Sequence, residues 1–151
     1  MERLKAFFRT ATEFCSWAEG CPAAPDEEVA TALSLLSRLY AQALELPALF
    51  DEEDAPELSD AEWLVTYKRF GSLPFNYYAA YSEPHCTEDP SPGTGDLADD
   101  LADIWRDLKG GLALYEQGNY SAAAWEWRYS FTVHWARHAA GALYALQCWR
   151  S

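Results

Sequence analysis

Between residues 96 and 149 the sequence carries two long helical patterns parted only by Gly118-Asn119, and this pairing constrains the fold more than any other feature. Leu97, Leu101, Ile104, Leu108, Leu112 and Tyr115 recur at spacings of three and four. That lines them along one face of a helix over about 96–117. The segment over about 120–149 sets Tyr120, Trp127, Phe131, His134, His138 and Ala145 on one stripe, and most of its remaining circumference is apolar too. A helix that is apolar nearly all round is a buried one, so this last helix is expected at the centre, with Gly141 as its kink. The short link makes the two helices antiparallel neighbours.

Three shorter patterns precede them. Leu4, Phe7, Phe8, Ala11, Phe14, Cys15 and Ala18 mark a helix over about 2–19, ended by Gly20 and Pro22. A second is expected over about 26–46, with Asp26 as N-cap and Pro47 as stop. A third starts at Ser59-Asp60-Ala61-Glu62, the spacing of a capping box, and places Trp63, Tyr67 and Phe70 on one face. The aromatic run Phe75–Tyr81 reads as a short helix, and 82–95, rich in proline and glycine, as a long loop. No strand pattern is visible. The expected architecture is all-α: one domain over 1–151, an antiparallel bundle of about five helices around a buried C-terminal helix.

The chain holds 24 acids against 11 Lys and Arg, a net charge of −13. Such a surface repels phosphate backbones, so nucleic acid and anionic membranes are not expected partners. The start Met1–Lys5 has no apolar core of a signal peptide, and no stretch has the length of a membrane span. Cys15, Cys21, Cys86 and Cys148 form no C-x-x-C pair. Reduced thiols and a cytoplasmic location are the expectation.

Opposite polar decoration on the last two helices is the main chemical feature. Asp96, Asp100, Asp103 and Asp107 form a stripe, with Asp99 further round, and like charges at such spacings destabilise a helix unless something offsets them. The last helix supplies Arg128, Arg137, His134 and His138. One reading is a structural network of Asp96, Asp99, Asp103 and Asp107 with Arg128, Arg137 and the histidines. The other is a divalent-metal site. His134 and His138 are i, i+4 and face one way, and Asp100 and Asp103 would serve as ligands or as acceptors behind them. The motif lacks the intervening Glu of a metalloprotease helix. The acidic pairs of all-helical nucleotide pyrophosphatases are half missing, since the last helix offers only Glu126. Residues 51–56 lack the ligand spacing of an EF-hand, and neither a phosphate-binding loop nor a serine elbow is present. No catalytic residue is therefore assigned, and no cofactor beyond that metal.

The run Gly95-Asp96-Leu97-Ala98-Asp99-Asp100-Leu101-Ala102-Asp103-Ile104-Trp105-Arg106-Asp107-Leu108-Lys109 resembles the signature of a bacterial family, the domain of unknown function 5063. Phe75-Asn76-Tyr77-Tyr78, Trp125-x-Trp127, Phe131 and His134-Trp135 are similar to its other landmarks. The likeness covers about 60–149 and is weaker before it. Trp105 stands where the family usually has Tyr, and Ala136 where it has Gly. The resemblance implies a bacterial, cytoplasmic, all-helical protein and transfers no activity, ligand or catalytic residue.

Three functions follow as expectations. The first is a non-enzymatic bundle acting through a protein partner or a homodimer, suggested by tryptophans and tyrosines in excess of what a core needs. The second is a metal-binding protein or metal-dependent hydrolase with its site between the last two helices. The third is a small-molecule pocket at Tyr77, Tyr78 and Tyr81.

Overall fold

The helical patterns fold as helices at nearly the expected bounds. In the computed structural model, which describes residues 1–88 and 90–151, α1 spans Glu2–Glu19, α2 Pro25–Leu44, α3 Asp60–Arg69 and α4 Leu97–Glu116. The last segment is one continuous rod: α5 (Tyr120–Ser130), a π-helical turn (Phe131–Trp135) and α6 (Ala136–Arg150). Ser59 caps α3 by accepting from the Glu62 N–H at 3.2 Å, as the Ser-x-x-Glu spacing predicts. Helix α2 is capped at Ala24 and not at Asp26, which lies in its first turn; it begins at Pro25, where a missing N–H is harmless. Gly118, at φ +85°, supplies the left-handed residue that turns the chain from α4 into α5.

Two expectations are corrected. Residues 77–80 form a strand, not a helix: β1 (Tyr77–Ala80) pairs antiparallel with β2 (Gly93–Asp96), Tyr77 opposite Asp96 and Tyr78 opposite Gly95. The partner strand, Gly-Thr-Gly-Asp, has no apolar alternation, so the pairing left no local signal. The centre of the fold is α4, not the C-terminal rod. Helix α4 packs against α1, α3, α5 and α6 and buries its polar Asp100 and Asp103 along with its apolar face. In α6 only Ala139, Ala142 and Leu146 are buried, and Tyr144 is 74% exposed. Alanines and aromatics inflate the apolar count of a helix yet tolerate a wet face.

Close approach explains the Gly110-Gly111 pair inside α4, where each glycine costs about 1 kcal/mol of helix propensity. The Trp127 indole of α5 lies against Gly111 and donates its N–H to the Leu108 carbonyl at 3.0 Å. A Cβ on Gly111 would stand 2.1 Å from that indole nitrogen. At the other end, Glu28 is 1% exposed and accepts from the Trp17 indole at 2.6 Å and from Arg69, tying α1, α2 and α3 together. All four cysteines are free. Among the described residues no helix is long and apolar enough to cross a membrane.

Gly111→Ala is expected to destabilise the fold by about 1–3 kcal/mol, although alanine is the better helix former, because overpacking outweighs propensity here. Urea melts of the two proteins check this. An unchanged midpoint would mean that the α4–α5 contact yields easily.

Candidate functional site

The aspartate stripe of α4 faces three elements at once. Asp96 caps its own helix, accepting from the Asp99 N–H at 3.1 Å, and holds Tyr67 of α3 at 3.1 Å and Asn76 at 2.9 Å. Asn76 in turn accepts from the Ala98 N–H at 2.9 Å, so the hairpin is docked on the start of α4. Tyr78 of β1 donates its hydroxyl to Asp100. Two glycines make room for that ring: a Cβ on Gly95 would lie 2.2 Å from it, and one on Gly141 would lie 2.8 Å from its hydroxyl. Gly141 thus forms a slot for Tyr78, and the irregularity in the rod is the π turn that contains His134. Such turns widen a helix and re-aim its side chains, often at functional sites.

Both histidines are oriented by carboxylates. His134 meets Asp107 through Nδ1 at 2.6 Å, and His138 meets Asp100 through Nδ1 at 2.7 Å. With Nδ1–H given to a carboxylate, the neutral ring carries its lone pair on Nε2. The two Nε2 atoms are 3.3 Å apart, and each lies 3.3 Å from Asp103 Oδ2. The other oxygen of Asp103 is occupied by the Trp63 indole N–H at 2.8 Å and by Arg106 at 3.2 Å. Three acceptor atoms facing one another repel unless a proton or a cation lies among them. The side chains are sheltered but reachable: Asp103 is 12% exposed, His138 22% and His134 39%.

Burial sets the titration. Desolvation raises the carboxyls of Asp100 and Asp107 above the usual range, against the pull of their histidines. Asp99 is raised by desolvation and by the nearby Asp103 charge. The bond to Asp100 raises His138. Burial and the bond to Asp100 lift Tyr78 well above the ordinary phenol range.

Asp100, Asp103, His134 and His138 come together, with Asp107 behind His134. Arg128 and Arg137 are exposed and make no ion pair with the stripe among the described residues; the site's guanidinium is Arg106. Trp63 is half-buried with its indole on Asp103, whereas Trp105, Trp127 and Trp135 are buried. Sequence reasoning missed Trp63 and Arg106 as site residues and assigned Tyr78 to a separate pocket, whereas it holds Asp100. Their contacts span α3, the hairpin and α4, and no spacing encodes them. Tyr77, Tyr78 and Tyr81 line none of the four cavities described; Tyr78 is packed and the other two are exposed. A cavity of about 600 Å³ does adjoin the site, with Arg106, Asp107, Asp60 and Glu126 on its wall. Glu83, His85 and Cys86 also lie near one another, all exposed on the hairpin loop.

A helical bundle with one docked hairpin and a histidine–aspartate centre on its innermost helix is the class these features define. The chain belongs to the family described as Domain of unknown function (DUF5063), whose model matches residues 1–151, the N-terminal helices included. The crystal structure of protein BF1032 from Bacteroides fragilis is similar, with a TM-score of 0.81 at 20% identity over 99% of this chain and 92% of that one. At that identity the likeness speaks for the fold alone. No match is found among curated proteins.

The raised groups share one sign. Each binds its proton more tightly folded than unfolded, so stability falls as pH rises. For His138 the contribution is complete below its ordinary value of 6.5 and is lost as pH climbs through the higher folded value. With divalent ions removed by a chelator, the melting temperature is expected to be higher near pH 5.5 than near pH 8. His138→Gln should lose part of that difference. A melting temperature that climbs with pH would contradict this electrostatic account.

Proposed function

We propose that the protein binds one divalent metal ion, with His134 Nε2, His138 Nε2 and Asp103 Oδ2 as its protein ligands. The carrying observation is the triangle of three 3.3 Å separations. Ligands at the usual Zn2+ bond lengths of 2.0–2.1 Å occupy tetrahedron corners about 3.3 Å apart, whereas an octahedral ion of that bond length needs about 2.9 Å. The spacing therefore favours Zn2+ in a tetrahedral site. The bonds from both Nδ1 atoms to Asp107 and Asp100 support the same reading, because metal-bound histidines are ordinarily oriented in this way. Asp103 binds through one oxygen, its other being held by Trp63 and Arg106. An ion with three protein ligands has a position left for water, which it would acidify. Hydrolysis is the reaction class that such a water serves.

A partner contact has less behind it. Among the tryptophans, Trp149 beside the C-terminus stacks on Phe75 of its own chain at 6.3 Å.

The test is metal analysis of protein purified without a polyhistidine tag, followed by calorimetric titration with Zn2+. One equivalent is expected to bind and to raise the melting temperature. Asp103→Ala and His134→Ala should abolish binding, and Asp107→Asn should weaken it roughly 10–100-fold. Protein that purifies metal-free, and whose melting temperature ignores added Zn2+, would rule the proposal out.

A further inference from the structure

The loop between β1 and β2 sets a cysteine among other metal donors. Cys86 Sγ, a ring nitrogen of His85 and a carboxylate oxygen of Glu83 all lie within 4.8 Å of one another. Among the described residues no other cysteine has such company: Cys15 is buried, and Cys21 and Cys148 are exposed without it. The three side chains of the trio are exposed, and among the described residues they make no hydrogen bond or ion pair. A local device holds them together. The Cys86 N–H donates to the Glu83 carbonyl at 2.9 Å, which closes Glu83-Pro84-His85-Cys86 into a β-turn. Pro84 stands second in that turn, where its fixed φ favours the bend in advance. The first and last Cα of such a turn stay within about 7 Å, so Glu83 and Cys86 cannot drift apart.

The spread and the chemistry of the donors both suit zinc. In a tetrahedral site, with sulfur about 2.3 Å and nitrogen about 2.0 Å from the ion, those two donors stand about 3.5 Å apart. Drawing the trio in to that separation takes side-chain movements of about 1 Å, which rotation about exposed χ angles supplies. A carboxylate by itself would suit magnesium or calcium. A thiolate and an imidazole beside it shift the preference to Zn2+.

We infer that Glu83, His85 and Cys86 form a second Zn2+ site on the surface of the hairpin loop, separate from the interior site proposed above and not resting on it. The turn is held by its own hydrogen bond and proline, so the ion has no fold to hold. Structural zinc sites are closed by four protein ligands, whereas three exposed donors leave a corner to solvent. Through that corner the ion is taken from, or passed to, an outside donor by ligand exchange. Full exposure makes this the weaker of the two sites. It fills after the one equivalent that the interior centre takes, and it remains in variants that lose that centre.

Cobalt separates the two sites, because a thiolate ligand adds charge-transfer absorption in the near ultraviolet that a histidine–carboxylate set lacks. Untagged, reduced protein titrated with Co2+ should develop that absorption, and Zn2+ should erase it. In His134→Ala, which removes an interior ligand, it should still appear and saturate at one equivalent per chain. Cys86→Ser should abolish it, and Cys148→Ser should leave it intact. His85→Ala should move its midpoint to roughly tenfold higher Co2+. Absence of the absorption, its survival in Cys86→Ser, or a His85→Ala midpoint equal to that of the wild type would each overturn the site. Saturation at half an equivalent would overturn it too, since two chains would then share one ion through their thiols. None of these outcomes touches the interior site, whose ligands carry no sulfur.

Discussion

Negative charge on the innermost helix is the constraint to which the rest of the structure answers. Asp96, Asp99, Asp100, Asp103 and Asp107 crowd one side of α4, and Asp100 and Asp103 are buried there. Carboxylates in that setting must be bonded, paired or protonated, since an unpaired buried charge costs several kcal/mol. Three of the neighbouring elements supply partners: Tyr67 and Trp63 from α3, Asn76 and Tyr78 from the hairpin segment, His134 and His138 from the rod. The bundle closes around its acids as much as around its leucines.

Small residues allow this closure. Gly111 admits the Trp127 indole, and Gly95 and Gly141 admit the Tyr78 ring. Each lets a large side chain reach a polar group on α4: the Leu108 carbonyl for Trp127, the Asp100 carboxylate for Tyr78. The same logic runs from packing to chemistry. Tyr78 holds Asp100, Asp100 holds His138, and the imidazole then turns Nε2 toward His134 and Asp103. The rigidity of that chain keeps three acceptors at mutual distances that suit a small cation, with little side-chain freedom left to lose on binding.

Helix positions, the α3 cap and the turn after α4 were legible because they are local: periodicity, Ser-x-x-Glu and Gly118-Asn119 each act within a few residues. The pairing of the aspartate stripe with His134 and His138 was legible in outline, since two adjacent antiparallel helices must bring complementary faces together. The choice of histidines over Arg128 and Arg137 was not. Those arginines lie on the outward side of the rod, and the π turn that aims His134 has no sequence mark of its own.

The sequence by itself determined an acidic helical chain whose last two helices pair, and it named the four side chains that meet. Local spacing is enough for that, because helix geometry fixes which residues share a face. Tertiary structure alone decided that α4 and not the C-terminal rod lies innermost, that residues 77–80 join a hairpin, and that Trp63, Arg106 and Tyr78 complete the site. Those outcomes depend on contacts between residues far apart in the chain, where burial of one helix is weighed against another and no nearby residue records the result.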